Sequence, residues 1–140
     1  MSVRLARAFD DMPLALKGLT SFFVVFGAGS LLLPLVPGVE QRVAGRALDP
    51  AEFFASGHGV FALVMGAWLV AAAAGLLARA RWACWAAVLA WALFVPAEAV
   101  LAEAPRVATQ AALAAAWALG VGAYLFRTRG ARAFFRSTGR

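Results

Sequence analysis

Residues 59–102 read GVFALVMGAWLVAAAAGLLARARWACWAAVLAWALFVPAEAVLA. Two apolar runs, residues 59–78 and 82–102, flank the short connection Arg79-Ala80-Arg81. Each run is close to the roughly 20 residues that an α-helix needs to cross about 30 Å of hydrocarbon. So short a connection forces the two helices to lie antiparallel and side by side. Two further apolar runs, residues 19–37 and 107–126, stand on either side. The connection at Ala104-Pro105-Arg106 is equally short, so the second, third and fourth runs continue up and down. The expected fold is all-α: a four-transmembrane-helix up-and-down bundle. Residues 1–140 form one integral membrane domain, with helices near residues 13–37, 50–78, 82–103 and 107–127.

Composition agrees. Apolar residues make up 64% of the chain and charged residues 14%, against about 45–50% and about 25% in soluble domains. Lipid can solvate an apolar surface that so few charges could not cover. The net charge of +6 does not imply nucleic acid as a partner, because the basic residues sit at helix ends rather than along one polar face. The expected surroundings are the lipid bilayer.

The charges also orient the chain. Arg4, Arg7, Lys17, Arg79, Arg81, Arg127, Arg129, Arg132, Arg136 and Arg140 fall on one side of the four runs, and only Arg42, Arg46 and Arg106 on the other. Basic flanks stay in the cytoplasm, so both termini are expected there. The acids Glu40, Asp49, Glu52, Glu98 and Glu103 lean to the opposite side. Arg4 and Arg7 resemble the start of a signal peptide, but Asp10 and Asp11 intervene and no small-x-small cleavage site follows the run. The first run is therefore expected to stay as a span. The preference for Ala and Arg over Ile and Lys fits a GC-rich bacterium, and the expected location is a bacterial inner membrane.

The longest connection, near residues 38–49, ends in Asp49-Pro50-Ala51-Glu52, a helix start with an acid at the cap and proline at the first helical position. A continuous helix from residue 50 to 78 would be about 43 Å long. Its first turns must then lie among headgroups, or the helix must break at Gly57 or Gly59. Small residues recur every four positions at Ala67, Ala71 and Gly75, and at Ala108, Ala112, Ala116 and Gly120. Such ridges let membrane helices approach closely and suggest inward faces. At the chain ends, Phe9 and Met12 lie near Arg4 and Arg7, and Phe134-Phe135 lies between Arg132 and Arg136. The pattern suits Phe in the acyl boundary with Arg at phosphate; the plainer alternative is a solvated tail. Cys84 reads as a small buried residue.

The residue least at home is Glu98, within the third apolar run just after Pro96. Ionisable residues in spans are rare and usually face the bundle interior or water. The up-and-down order gathers Glu98, His58, Arg106 and Gln110 at one end of the bundle, with Glu52 and Glu103 nearby. Trp91 shares a helix face with Glu98, so an aromatic wall would lie beneath an acid. These five residues, Glu98, His58, Arg106, Gln110 and Trp91, are the candidate ligand-binding set. The simpler reading is interfacial polarity, with Glu103 and Arg106 a local ion pair, His58 solvated and Trp91 in core packing.

No phosphate-binding loop, paired histidines or nucleophile elbow is present, so no catalytic residue, metal ligand or cofactor is expected. The run Ala74-Gly75-Leu76-Leu77, followed by Arg81-Trp82-Ala83, resembles the hairpin of small, uncharacterised bacterial four-helix inner-membrane proteins. Tyr124-Leu125-Phe126, followed by Arg132-Ala133-Phe134, resembles their C-termini. That resemblance implies the four-helix fold and no activity. The leading functional expectation is a non-enzymatic membrane protein, an accessory subunit or homo-oligomer acting through helix packing. The alternative is a small-molecule or lipid binding or transport protein with an outward pocket around Glu98. The third is an enzyme using Glu98 and His58 on a lipid-soluble substrate.

Overall fold

Four helices long and apolar enough to cross a membrane make up most of the computed structural model: Leu14–Leu35, His58–Leu77, Arg81–Leu101 and Val107–Arg127. The structure describes residues 2–36, 39–43, 46–101 and 107–136, with side chains from residue 6 onward. Large apolar side chains cover the outside of the bundle: Val25 is 68% exposed and Trp117 61%. An apolar surface of this extent belongs in lipid, and the chain is a multi-pass membrane protein by this criterion.

The elements run in order as α1 (Ser2–Asp10), α2 (Leu14–Leu32), β1 (Gln41–Val43), β2 (Arg46–Leu48), α3 (Pro50–Ala55), α4 (His58–Leu77), α5 (Arg81–Leu89), α6 (Val95–Leu101), α7 (Val107–Arg127) and α8 (Arg129–Arg136). A 3-10 turn at Leu33–Leu35 extends α2, and a π turn at Ala90–Phe94 joins α5 to α6 into one span. The strands were not expected. They pair antiparallel, with Gln41 opposite Leu48 and Val43 opposite Arg46, and the Gln41 side chain ties the ribbon to the first span by donating to the Leu33 carbonyl at 3.1 Å.

The long second helix breaks where the glycines allow. Gly57 adopts φ 85°, a left-handed conformation that glycine takes without steric cost. The segment thus divides into α3 and α4. Asp49 caps α3 as its position suggests, its Oδ1 accepting from the Glu52 N–H at 2.8 Å. The third span is also irregular. Pro96 has no N–H to donate and its ring crowds the carbonyl four residues back, and the preceding turn widens into a π turn.

Packing centres on α4. It lies against α2 on one side and α5 on the other, while α7 packs on the third span. The α2–α4 crossing is a backbone contact. A Cβ on Gly66 would stand 2.8 Å from the Gly27 carbonyl oxygen, and one on Gly27 would stand 3.0 Å from that of Gly66. The expected ridges are largely not the inward faces. Ala67 and Ala71 are exposed, and so are Ala108, Ala112, Ala116 and Gly120; only Gly75 is buried, against Trp82 and Ala83. The inward face of α7 is formed by Ala114, Ala118 and Leu125. Alanine lies on every face of these helices, so its spacing marks no side; a glycine matched to a glycine does.

At the basic end, α4 closes in a turn with Arg79 at φ 56°, where glycine is usual. Ala80 N–H reaches back to the Gly75 carbonyl at 2.8 Å, and Arg79 N–H to that of Leu76 at 3.0 Å. The Arg79 guanidinium meets Asp11 at 3.0 Å and lies 4.5 Å from the centre of the Phe134 ring. One side chain therefore links the α1–α2 corner, the α4–α5 turn and α8. Phe134 and Phe135 are buried against the bundle rather than in the acyl boundary, because α8 turns its apolar face inward.

Candidate functional site

The first span packs chiefly on α4, and the third span packs on α4 and α7. A gap remains between the first and third spans, with α4 as its floor. Three phenylalanines of α2, Phe22, Phe23 and Phe26, line one wall, and Trp91 and Phe94 of the π turn line the other. Met65 and Leu69 form the floor, and Glu98 stands at the rim, one turn from the end of α6. The cavity is about 190 Å³.

Ring stacking builds the site. Phe22 lies on Phe26 with centroids 4.2 Å apart and on Trp91 at 5.5 Å, and Trp91 continues the stack onto Trp117 of α7 at 5.8 Å. Phe94 is held edge-on by Phe61 at 5.9 Å and Trp68 at 6.0 Å. Trp68 is fixed in turn, its Nε1 donating to the Ala86 carbonyl at 3.0 Å. The helical repeat places Ala90, Trp91, Phe94, Val95 and Glu98 on one side of the third span. Trp91 Nε1 is buried with no acceptor. An unpaired donor of this kind costs about 1–3 kcal/mol.

Among the described residues, the polar set expected at this end does not assemble into one cluster. Glu98 and Trp91 share the aromatic pocket. His58 sits at the start of α4, with Nδ1 3.0 Å from the Ser56 hydroxyl and its ring stacked on Phe53 at 6.2 Å. Its Nε2 is buried without a partner, so no hydrogen bond joins it to Glu98. Gln110 is exposed on the first turn of α7. Arg106, together with the Glu103–Arg106 ion pair, lies outside the described residues. Cys84 is buried in α5 and makes no disulfide. No group of three or more His, Cys, Asp or Glu residues able to hold a metal occurs among the described residues.

The sequence pairs Trp91 with Glu98 on one helix face but does not reveal the opposite wall. Its signal was present, since Phe22, Phe23 and Phe26 put three rings within five residues of the first span. Nothing in the sequence says which ring faces the third span. The Gly27–Gly66 crossing decides that, by fixing the rotation of α2 against α4.

Comparison with protein-family models, curated proteins and solved structures finds no match to this chain.

Proposed function

We propose that this chain is a non-enzymatic, multi-pass protein of a bacterial inner membrane, with both termini in the cytoplasm, that holds a lipid-soluble, ring-bearing molecule between its first and third spans. The observation that carries this reading is the aromatic pocket with a single carboxylate, Glu98, at its rim. A flat apolar body in this cavity would lie against the existing Phe22–Trp91 stack and Phe94, and a hydrogen-bond donor or cation on it would meet Glu98. Offset stacking contributes about 0.5–1.5 kcal/mol per ring pair beyond the buried area. The volume of about 190 Å³ is below the roughly 300–1,000 Å³ of sites that enclose a drug-sized ligand. It suits one ring system, with any tail left in the bilayer.

The test is native mass spectrometry of the protein extracted with its lipids. The wild type is expected to retain one small molecule. Phe22→Ala removes the central ring of the stack and is expected to lower occupancy about tenfold, which corresponds to roughly 1.4 kcal/mol. Glu98→Gln is expected to weaken retention of a cationic molecule by a similar factor. Wild-type protein carrying phospholipid alone would reject the reading.

A second reading rests on the exposed ridge of α7. Ala108, Ala112, Ala116 and Gly120 form a line of small residues that is exposed among the described residues, and a Cβ on Gly120 would meet nothing within 4 Å. The same ridge on a second copy would allow close approach of two α7 helices. On this reading the protein is a homo-oligomer acting through helix packing. Gly120→Leu is expected to leave the melting of the monomer unchanged and to abolish crosslinking between α7 helices in membranes. Equal crosslinking in the variant and the wild type would exclude this face.

A further inference from the structure

The fold builds a second site at its basic end, and it does not use the aromatic pocket. Thr128 separates α7 from α8; its hydroxyl donates to the Tyr124 carbonyl at 2.7 Å, and its own carbonyl receives the Arg132 N–H at 3.1 Å. The chain turns there, and α8 docks by burying Ala131, Phe134 and Phe135. Its polar face is left outward. Arg132 and Arg136 on α8 then face Arg81 on α5 across a cavity of about 380 Å³. Trp85 and Phe126 form its apolar side, with ring centroids 4.7 Å apart.

Three arginines around one cavity repel one another unless an anion lies between them. No carboxylate lines this cavity, and none pairs with Arg81, Arg132 or Arg136 among the described residues. All three arginines are exposed. Guanidinium groups bind phosphate through paired N–H donors. Exposed tryptophans beside them are the usual residues of the headgroup level; Trp82 is 55% exposed and Trp85 61%. The site thus combines cationic donors on one side with an apolar wall on the other.

We propose that this cavity binds the phosphate of an anionic phospholipid, with the guanidinium groups of Arg81, Arg132 and Arg136 on the headgroup and the acyl chains against Trp85 and Phe126. A bound lipid would pin α8 to the hairpin of α4 and α5. A soluble phosphate could use the same donors but not the apolar wall, and this separates the two sources.

The experiment uses the full chain in mild detergent. Phosphatidylglycerol, phosphatidylcholine and inorganic phosphate are added separately, and binding is read by native mass spectrometry and thermal shift. The wild type is expected to prefer phosphatidylglycerol and to show no shift with inorganic phosphate. Each basic residue near a membrane surface contributes about fivefold to anionic lipid binding, so replacing all three arginines with Gln should reduce the preference by about 100-fold. Arg42→Gln, at the opposite end of the bundle, is expected to change nothing. Melting of the triple variant in phosphatidylcholine like the wild type shows that it folds. Equal binding of the two lipids by the wild type, an unchanged preference in the triple variant, or stabilisation by inorganic phosphate equal to that by phosphatidylglycerol would overturn the proposal.

Discussion

Gly66→Leu is expected to destabilise the bundle by about 3 kcal/mol or more, at the upper end of what an overpacked interior costs. The Cβ alone would lie 2.8 Å from the Gly27 carbonyl oxygen, 2.8 Å from Leu31 Cγ and 3.0 Å from Leu31 N. Two of these three neighbours are backbone atoms of α2, so relief requires the whole helix to move. Moving α2 away from α4 would break the principal contact of the first span and separate Phe22 from Trp91. Loss of the folded, monodisperse protein is the expected result, read by melting in detergent and by accumulation in the membrane. Gly18→Ala is the matched control. A Cβ there meets nothing within 4 Å, and removing a helical glycine should gain about 0.5–1 kcal/mol. A Gly66→Leu variant that melts like the wild type would mean that α2 and α4 do not cross at this point.

That crossing also marks the limit of what the sequence conveys. The four spans are legible because length and hydropathy follow directly from the thickness of a bilayer. The cap at Asp49 and a break at Gly57 or Gly59 are legible because they are local: the cap needs an acceptor before a first turn, and the break a left-handed residue. The π turn is less so, since Pro96 announces a disturbance without fixing its form. Helix rotation is not local. Ala67 and Ala71 follow the same spacing rule as a true contact ridge yet face outward, while Gly27, with no ridge of its own, packs so tightly on α4 that a Cβ there would stand 3.0 Å from the Gly66 carbonyl oxygen.

The two candidate sites differ for the same reason. Trp91 and Glu98 lie seven residues apart in one helix, so the sequence pairs them. Phe22 reaches Trp91 only through tertiary packing. Likewise, the sequence shows Phe134 and Phe135 between arginines, which suits insertion in lipid. The structure buries both rings in the core that holds Met12, Leu16, Leu76 and Leu125, and the Arg79 guanidinium lies over the Phe134 ring. The arginines are thereby gathered around a cavity with Arg81 rather than spread along a solvated tail. Asp11 and Arg79, 68 positions apart, show the same limit; nothing in the sequence pairs them, and together they tie three elements.

Orientation carries the largest all-or-none consequence. With four spans running up and down, ten of the thirteen Lys and Arg residues would fall on the side of the termini, and this bias is expected to hold that side in the cytoplasm. Both sites depend on it: the arginine cavity then faces the inner leaflet, and Glu98 faces the outer one. The direct measurement places alkaline phosphatase, active only outside the cytoplasm, after Arg140 or between β1 and β2, with green fluorescent protein at the same positions. Fluorescence without phosphatase activity is expected at the C-terminus, and phosphatase activity without fluorescence in the ribbon. Phosphatase activity at the C-terminus, or the same reporter response at both positions, would contradict the four-span orientation.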